Sequence, residues 1–374
     1  MDAVFIECFS NLEDPRVDRT KKHLLLDIVA IAICGVLSGA ESWEEMEDFA
    51  KENEEWFSRF LLLPHGIPSH DTISRVFSVL DPQAFQESCL VWLKRIAKLL
   101  PETVIPIDGK SLRGSKRSNE SKKALHILNA WSCANSVCLG QLKVDDKSNE
   151  IPAVPELLKL LYIKGAIVTL DAMGAQEETV KCICNAGADY VIALKGNQGE
   201  LHETVKDSFI LSDQGAEALT VHRAKDEICG DHGRMDTRAI EVIPAKELEE
   251  YIDPRWKDLN SLIRITYTRE EAKKALIEKR HYISSLAPED PDKIRQVIRS
   301  HWEVENSLHW SLDVTFKEDC SRIRDDNTAH NFSWLRKFCL GLLKNEKSFK
   351  ASIRRKQRKA CTSLNYMQKV IGQI

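Results

Sequence analysis

At residue 101 the spacing of apolar residues changes, and this change constrains the fold more than any single motif. Residues 14–100 read as nearly all helical. His23 to Ser38 is one apolar run, and in SWEEMEDFAKENEEWFSRFL the positions Trp43, Met46, Phe49, Ala50 and Phe57 recur at helical spacing. Beyond 101 the apolar residues gather into short runs, TVIPID, HILNAWS and VCLGQLKV, which predict successive antiparallel strands. AVPELLKLLY then reads as a helix, GAIVTLDA as a strand, QEETVKCICNAG as a helix, DYVIALKG as a strand and NQGELHETVKDSFI as a helix. The order β-β-β-α-β-α-β-α predicts an α/β fold, a mixed sheet with helices on its faces.

The periodicity predicts five segments. A helical region over 1–100 comes first, then the first part of an α/β core over 101–211. An irregular, strand-rich insertion over 212–288 interrupts that core. A strong helix from DKIRQVIRSHWEVENSLHWSLDV completes it over 289–345, and a basic tail over 346–374 ends in KNEKSFKASIRRKQRK. The chain has 374 residues, 43% hydrophobic and 29% charged, which predicts a folded globular protein with at least one large core. A net charge of −4 excludes a uniformly basic coat but leaves room for local basic grooves. The N-terminal MDAVFIECFSNLEDPR has no basic n-region or long apolar stretch, and the run from Ile28 to Leu37 is about half a membrane span. No export signal and no membrane association are expected. Eleven cysteines without repeated CxxC pairs predict reduced thiols in a cytoplasmic protein, and Cys182 and Cys184 lack zinc-knuckle spacing.

Three carboxylates carry the chemistry. Asp108 ends the first predicted strand in VIPIDGKSLRGS, with Gly109 expected to turn the chain away, and Asp171 ends the fourth in IVTLDAMGAQ. Ligands of open α/β sheets gather at strand ends, although an Asp before a turn is also a common cap. In the late helix Ile294, Ile298, Trp302, Glu305, Leu308, His309 and Leu312 share one stripe. Glu305 is therefore expected to face the core, with Glu303 turned about 200° away. A buried carboxylate needs a cation, a metal or a strong donor, and an ion pair with a neighbouring Arg or His is the alternative. Two Asp and one Glu suit two hard cations, Mg²⁺ or Mn²⁺, in an in-line phosphoryl transfer. IDGKSLRG is not a GxxxxGK[ST] loop, which argues against a nucleotide-hydrolysing motor.

DGKSLRG, TLDAMGAQ, KGNQ, HGRMDTR, YISSL and HWEVENSLHWSLDVTFKED, in this order, resemble the DDE transposases of bacterial insertion sequences, closest to the H-repeat-associated subgroup. DPR, HLLLDIVAIAICGVLSG and IPSHDTISR resemble that subgroup's N-terminal domain, so the likeness runs from about 14 to 345. It implies an RNase H-like core with Asp108, Asp171 and Glu305 as the DDE triad, two divalent ions, and a β-rich insertion before the Glu. Many relatives carry a Tyr–Arg–Glu–Lys signature around that Glu. Here Ile298, His301 and Leu312 stand at the Tyr, Arg and Lys positions, so His301 or Arg322 is expected to replace the missing phosphate contacts.

The other candidates are DNA contacts, each with a plainer alternative. Lys110 and Arg113 flank Asp108 and suit the scissile phosphate, or a solvated turn. Lys195, Asn197 and Gln198 follow the fifth strand and suit DNA, or helix capping. His232, Arg234 and Arg238 suit a grip on a transposon end, or a hairpin with surface arginines. Ser69, His70, Thr72 and Arg75 open a helix as in helix-turn-helix readers, or merely cap it. The expected activity is cleavage of insertion-sequence ends and transfer of their 3′ ends to target DNA. The partners are double-stranded DNA and a second copy or larger assembly. A catalytically silent DNA-binding relative and a stand-alone RNase H-like nuclease are the rivals.

Overall fold

The computed structural model of the chain describes residues 3–96, 103–116, 124–145, 149–215, 219–229, 235–271 and 274–372. The helices α1 (Ala3–Phe9), α2 (Leu25–Ser38), α3 (Trp43–Glu52), α4 (Glu54–Phe57), α5 (His70–Val79) and α6 (Pro82–Ile96) come first. Then follow β1 (Val104–Leu112), β2 (Leu125–Ser132), β3 (Val137–Val144), α7 (Glu150–Leu160), β4 (Ile167–Leu170), α8 (Glu177–Asn185), β5 (Asp189–Leu194) and α9 (Gly199–Asp213). The strands β6 (His222–Cys229), β7 (Met235–Pro244), β8 (Ser261–Glu271) and β9 (Lys274–Ser284) lead to α10 (Pro291–His301), a π-helical turn (Val304–His309) and α11 (Trp310–Val314). α12 (Asp326–Asn345), α13 (Ile353–Thr362) and α14 (Leu364–Ile371) close the chain. Several helices start where a short polar side chain precedes an amphipathic run. Ser42, Ser69, Asn149, Asp290, Asp325 and Ser363 each accept a backbone N–H of the first turn.

The strands form one mixed sheet in the order β3-β2-β1-β4-β5-β9-β8-β7-β6. β1, β4 and β5 are parallel neighbours, β2 and β3 are antiparallel, and β5 to β9 starts an antiparallel run that ends at β6. The 3-2-1-4-5 half is the RNase H-like order. The four strands β6 to β9 extend the same sheet beyond β5.

The chain divides into two compact units, Met1–Leu99 with Gly109–Lys147 and Glu305–Ile374, and Leu100–Asp108 with Ser148–Val304. In the first, α2 is apolar along nearly its whole length and buried, and it contacts α3, α12, α13 and α14. α12 is buried over most of its length against α5, α6 and β3, and Asn327 and Asn331 donate to the Ser78, Phe77 and Leu80 carbonyls at the end of α5. The basic stretch read as a tail is folded here. Lys356 of α13 is buried and donates to the Leu343 carbonyl at 2.7 Å and to that of Glu346. In the second unit, Ile294, Val297 and Ile298 of α10 join Ile167, Val191, Ile240, Val242, Ile263 and Ile265 in one core, which lays α10 over the sheet. Among the described residues no single helix is long and apolar enough to cross a membrane.

Candidate active site

β1 and β4 run parallel with Ile107 opposite Leu170 as their last pair, so the next residues on each strand are Asp108 and Asp171. Adjacent strands lie about 5 Å apart, which sets two carboxylates side by side. Asp108 does not end its strand, as the sequence suggested. β1 parts from β4 after Ile107 but continues through Gly109 to Leu112, next to β2 in the sheet order. Asp171 does end β4. It is exposed, and its Oδ1 accepts the N–H groups of Met173 at 3.0 Å and Gly174 at 3.4 Å, which builds the tight turn behind it. A β-carbon on Gly174 would fall 2.7 Å from Leu170 Cβ, so the turn closes only over glycine.

Two residues expected on DNA brace this turn instead. Asn197 Nδ2 donates to the Ala172 carbonyl at 2.7 Å and Gln198 Nε2 to that of Ala175 at 2.6 Å. Lys195 is exposed at the end of β5. His301, at the end of α10, shares a hydrogen bond of 2.9 Å between Nδ1 and Thr169 Oγ1 on β4. Burial pushes its imidazole below the ordinary value while Asp171 pulls the other way.

Glu305 is exposed, and this corrects the expectation of a core-facing carboxylate. The apolar stripe resumes at Val304 and continues through Leu308 and Leu312, all fully buried, while Trp302 is 37% exposed. The regular α10 ends at His301 with Trp302 as its C-cap, and a π-helical turn over Val304–His309 follows. One 3.6-residue count therefore does not run through the junction: Val304 faces inward and Glu305 solvent, with Glu303 half-buried. The argument from the cost of a buried carboxylate therefore does not apply to Glu305. Single-turn π-bulges in α-helices are often found at functional sites, and that is now the local reason to attend to it.

Lys110 is a second correction. It is 8% exposed and engaged by Asp313 and Asp319, so it is not a cation open to phosphate. Burial alone would lower its pKa, but Glu318, Asp313 and Asp319 outweigh that and raise it, so it stays charged. Arg113 is 83% exposed, with Nε 3.4 Å from Asp319. Arg322 is exposed in an extended segment. Arg238 lies over the Tyr267 ring, and Arg280 stands between Tyr267 and Trp302, a stack that motif reading missed because its members are scattered over three strands and the end of α10. Arg234 and His232 lie outside the described residues.

At α5, Ser69 Oγ accepts the Thr72 N–H and lies 3.1 Å from the Thr72 hydroxyl. The His70 N–H donates to Glu47 Oε2, and the His70 ring lies 2.6 Å from the same oxygen. Arg75 pairs with Asp71. These four residues serve the helix start, with His70 and Arg75 still open to solvent.

The donors of the strand-end pair are hard oxygens, the chemistry Mg²⁺ and Mn²⁺ prefer. Among the described residues no three His, Cys, Asp or Glu side chains are grouped to hold an ion.

Residues 6–93 match the DDE_Tnp_1-associated family and residues 100–342 match the family described as Transposase DDE domain. The H repeat-associated putative transposase YhhI of Escherichia coli K12 is 38% identical over 373 residues, covering 98% of this chain and 97% of that protein. Putative transposase YncI of Escherichia coli O157:H7 is 36% identical over 375 residues, covering 98% and 94%. The solved piggyBac transposase synaptic complex with hairpin DNA aligns with 99% of this chain and 77% of its own at TM-score 0.44 and 13% identity, too distant to carry an argument. With family matches from 6 to 342 and near-full-length relatives, the chain belongs to the DDE transposase family.

Proposed function

We propose that this transposase cleaves DNA at the ends of an insertion sequence and joins the freed 3′ ends to target DNA by two-metal phosphoryl transfer. The observation that carries the reading is the in-register pair Asp108 and Asp171 at the point where β1 and β4 part. Glu305 is the third carboxylate, one helical turn past His301, whose ring borders Asp171. A pair of Mg²⁺ or Mn²⁺ ions, when bound, supplies charge for the attacking and leaving oxygens. The chain's own residues hold and orient. The Met173 and Gly174 amides fix Asp171, Asn197 and Gln198 brace that turn, and Thr169 holds the His301 ring.

The exposed cations Arg113, Lys195 and Arg322, with Arg238 beside them in role, meet the DNA backbone as phosphate contacts. His70 and Arg75 at the start of α5 are the base-reading candidates of the N-terminal helices. Two or more copies act together, because each chain carries one carboxylate set and an element has two ends.

The test is cleavage of the element's own end DNA in Mg²⁺ or Mn²⁺. Wild-type protein is expected to nick and then join the ends. Asp108→Asn and Asp171→Asn are expected to lose cleavage by about 10³-fold or more while binding the same DNA. Binding without cleavage by the wild type would instead identify a silent DNA-binding relative, and cleavage without joining a stand-alone nuclease.

A further inference from the structure

Lys110 follows Asp108 by two residues on β1, so alternation gives both side chains the same face of the strand. Its Nζ lies 2.6 Å from Asp313 Oδ1, 3.4 Å from Asp319 Oδ1 and 3.7 Å from Glu318 Oε2. Glu318 is 1% exposed, and its Oε1 accepts from Ser333 Oγ at 2.8 Å. An ammonium has three protons to donate, and three acids surround this one. All three acids come from the segment that follows Glu305: Asp313 two turns on in α11, Glu318 and Asp319 in the 3₁₀ turn beyond it. The same segment closes on the chain after β1 a second time. A β-carbon on Gly114 would fall 1.9 Å from the Ser321 carbonyl oxygen, so the backbones touch there and only glycine fits.

We propose that Lys110 is a positioning residue, which through Asp313, Glu318 and Asp319 fixes the segment that follows Glu305 to its own strand, β1. The inference rests on the reading of Asp108 and Glu305 as metal-binding carboxylates. Glu305 lies in an exposed π-helical turn, so its own surroundings do not fix its place on the strand. A buried polar anchor on its C-terminal side is the Lys110 cluster. Displacing a reacting group by about 1 Å can cost about 100-fold in rate, so an anchor one strand step from Asp108 has leverage on the chemistry.

Lys110→Ala alone would strand buried carboxylates and endanger the fold. The test therefore uses the charge-balanced pair Lys110→Met with Asp313→Asn, and Lys110→Arg as the conservative variant. Three readouts are taken on the full chain: thermal melting, Mn²⁺ affinity by electron paramagnetic resonance, and cleavage of end DNA. The double variant is expected to bind end DNA as the wild type does, while Mn²⁺ affinity and cleavage rate each fall about tenfold or more. Lys110→Arg is expected to fall between it and the wild type. Should the double variant fail to fold, Lys110→Arg decides alone, and wild-type Mn²⁺ affinity and rate in that variant overturn the proposal. A folded double variant with wild-type Mn²⁺ affinity and rate overturns it equally. Asp108→Asn and Glu305→Gln run alongside. If they too behave as wild type, the metal-carboxylate reading itself has failed. If they lose both properties while the Lys110 variants do not, only the role of Lys110 falls.

Discussion

Two groups of acids in this chain have opposite surroundings. Asp313, Glu318 and Asp319 close around the buried ammonium of Lys110. Asp108 and Asp171 stand side by side at the parting of two parallel strands, with Asp171 exposed. Like charges opposite one another weaken a sheet, so the strand-end pair works against stability. The cluster around Lys110 works for it, since removing one partner of a buried ion pair costs about 3–5 kcal/mol. The acids around Lys110 share one cation, whereas the strand-end pair is proposed to take up metal ions.

Three measurements break or sharpen this contrast. The largest effect is expected at the π-helical turn. Glu305→Gln should lower end cleavage by about 10³-fold and leave the melting temperature unchanged, while Glu303→Gln should keep cleavage within about threefold. The opposite ranking would assign the third carboxylate to Glu303. Next in size is stability. Glu318→Ala should destabilise the chain by about 3 kcal/mol in urea unfolding, because it leaves Lys110 and its neighbours short of a counter-charge. Asp171→Asn should leave stability unchanged or raise it slightly. Equal losses in the two would erase the distinction between holding and reacting acids.

The smallest effect is with pH. Burial holds His309 at about 3 and His330 and His281 at about 4, well below the ordinary 6.5, with Lys110 and Lys337 adding to the depression at His309. A histidine depressed in the folded state contributes stability that is complete above 6.5 and is lost as pH falls toward the folded value. Unfolding free energy should therefore fall between pH 7 and pH 5 by ~2 kcal/mol for each such histidine. His330→Gln should flatten that slope, and an unchanged slope would mean that His330 is protonated in the fold.

Much of the fold was legible because its signals are local. Strands such as DYVIAL and helices such as HDTISRVFSV carry their period and their caps within ten residues. The pairing of Asp108 with Asp171 was legible in part, since both follow apolar runs, although β1 runs on past Asp108. The orientation of Glu305 was not legible. A regular 3.6-residue count puts it inward, but α10 ends at His301 and a π-helical turn takes over from Val304. Nor was the burial of Lys110, because its partners lie some 200 residues away, and a Lys after Asp-Gly reads locally as a surface turn. Asn197 and Gln198 show the same limit. Their amides reach back to carbonyls of the Asp171 turn, a contact that spacing alone does not encode.

The wide turn before α11 has one more consequence. The compass bearing of a helical side chain depends on how many residues precede it, each adding about 100°. Point substitutions between Val297 and Glu305 leave that bearing alone, whereas gaining or losing a single residue there swings the carboxylate by more than a quarter turn. The chain's length across this stretch is thus as much a part of the site as any acid in it.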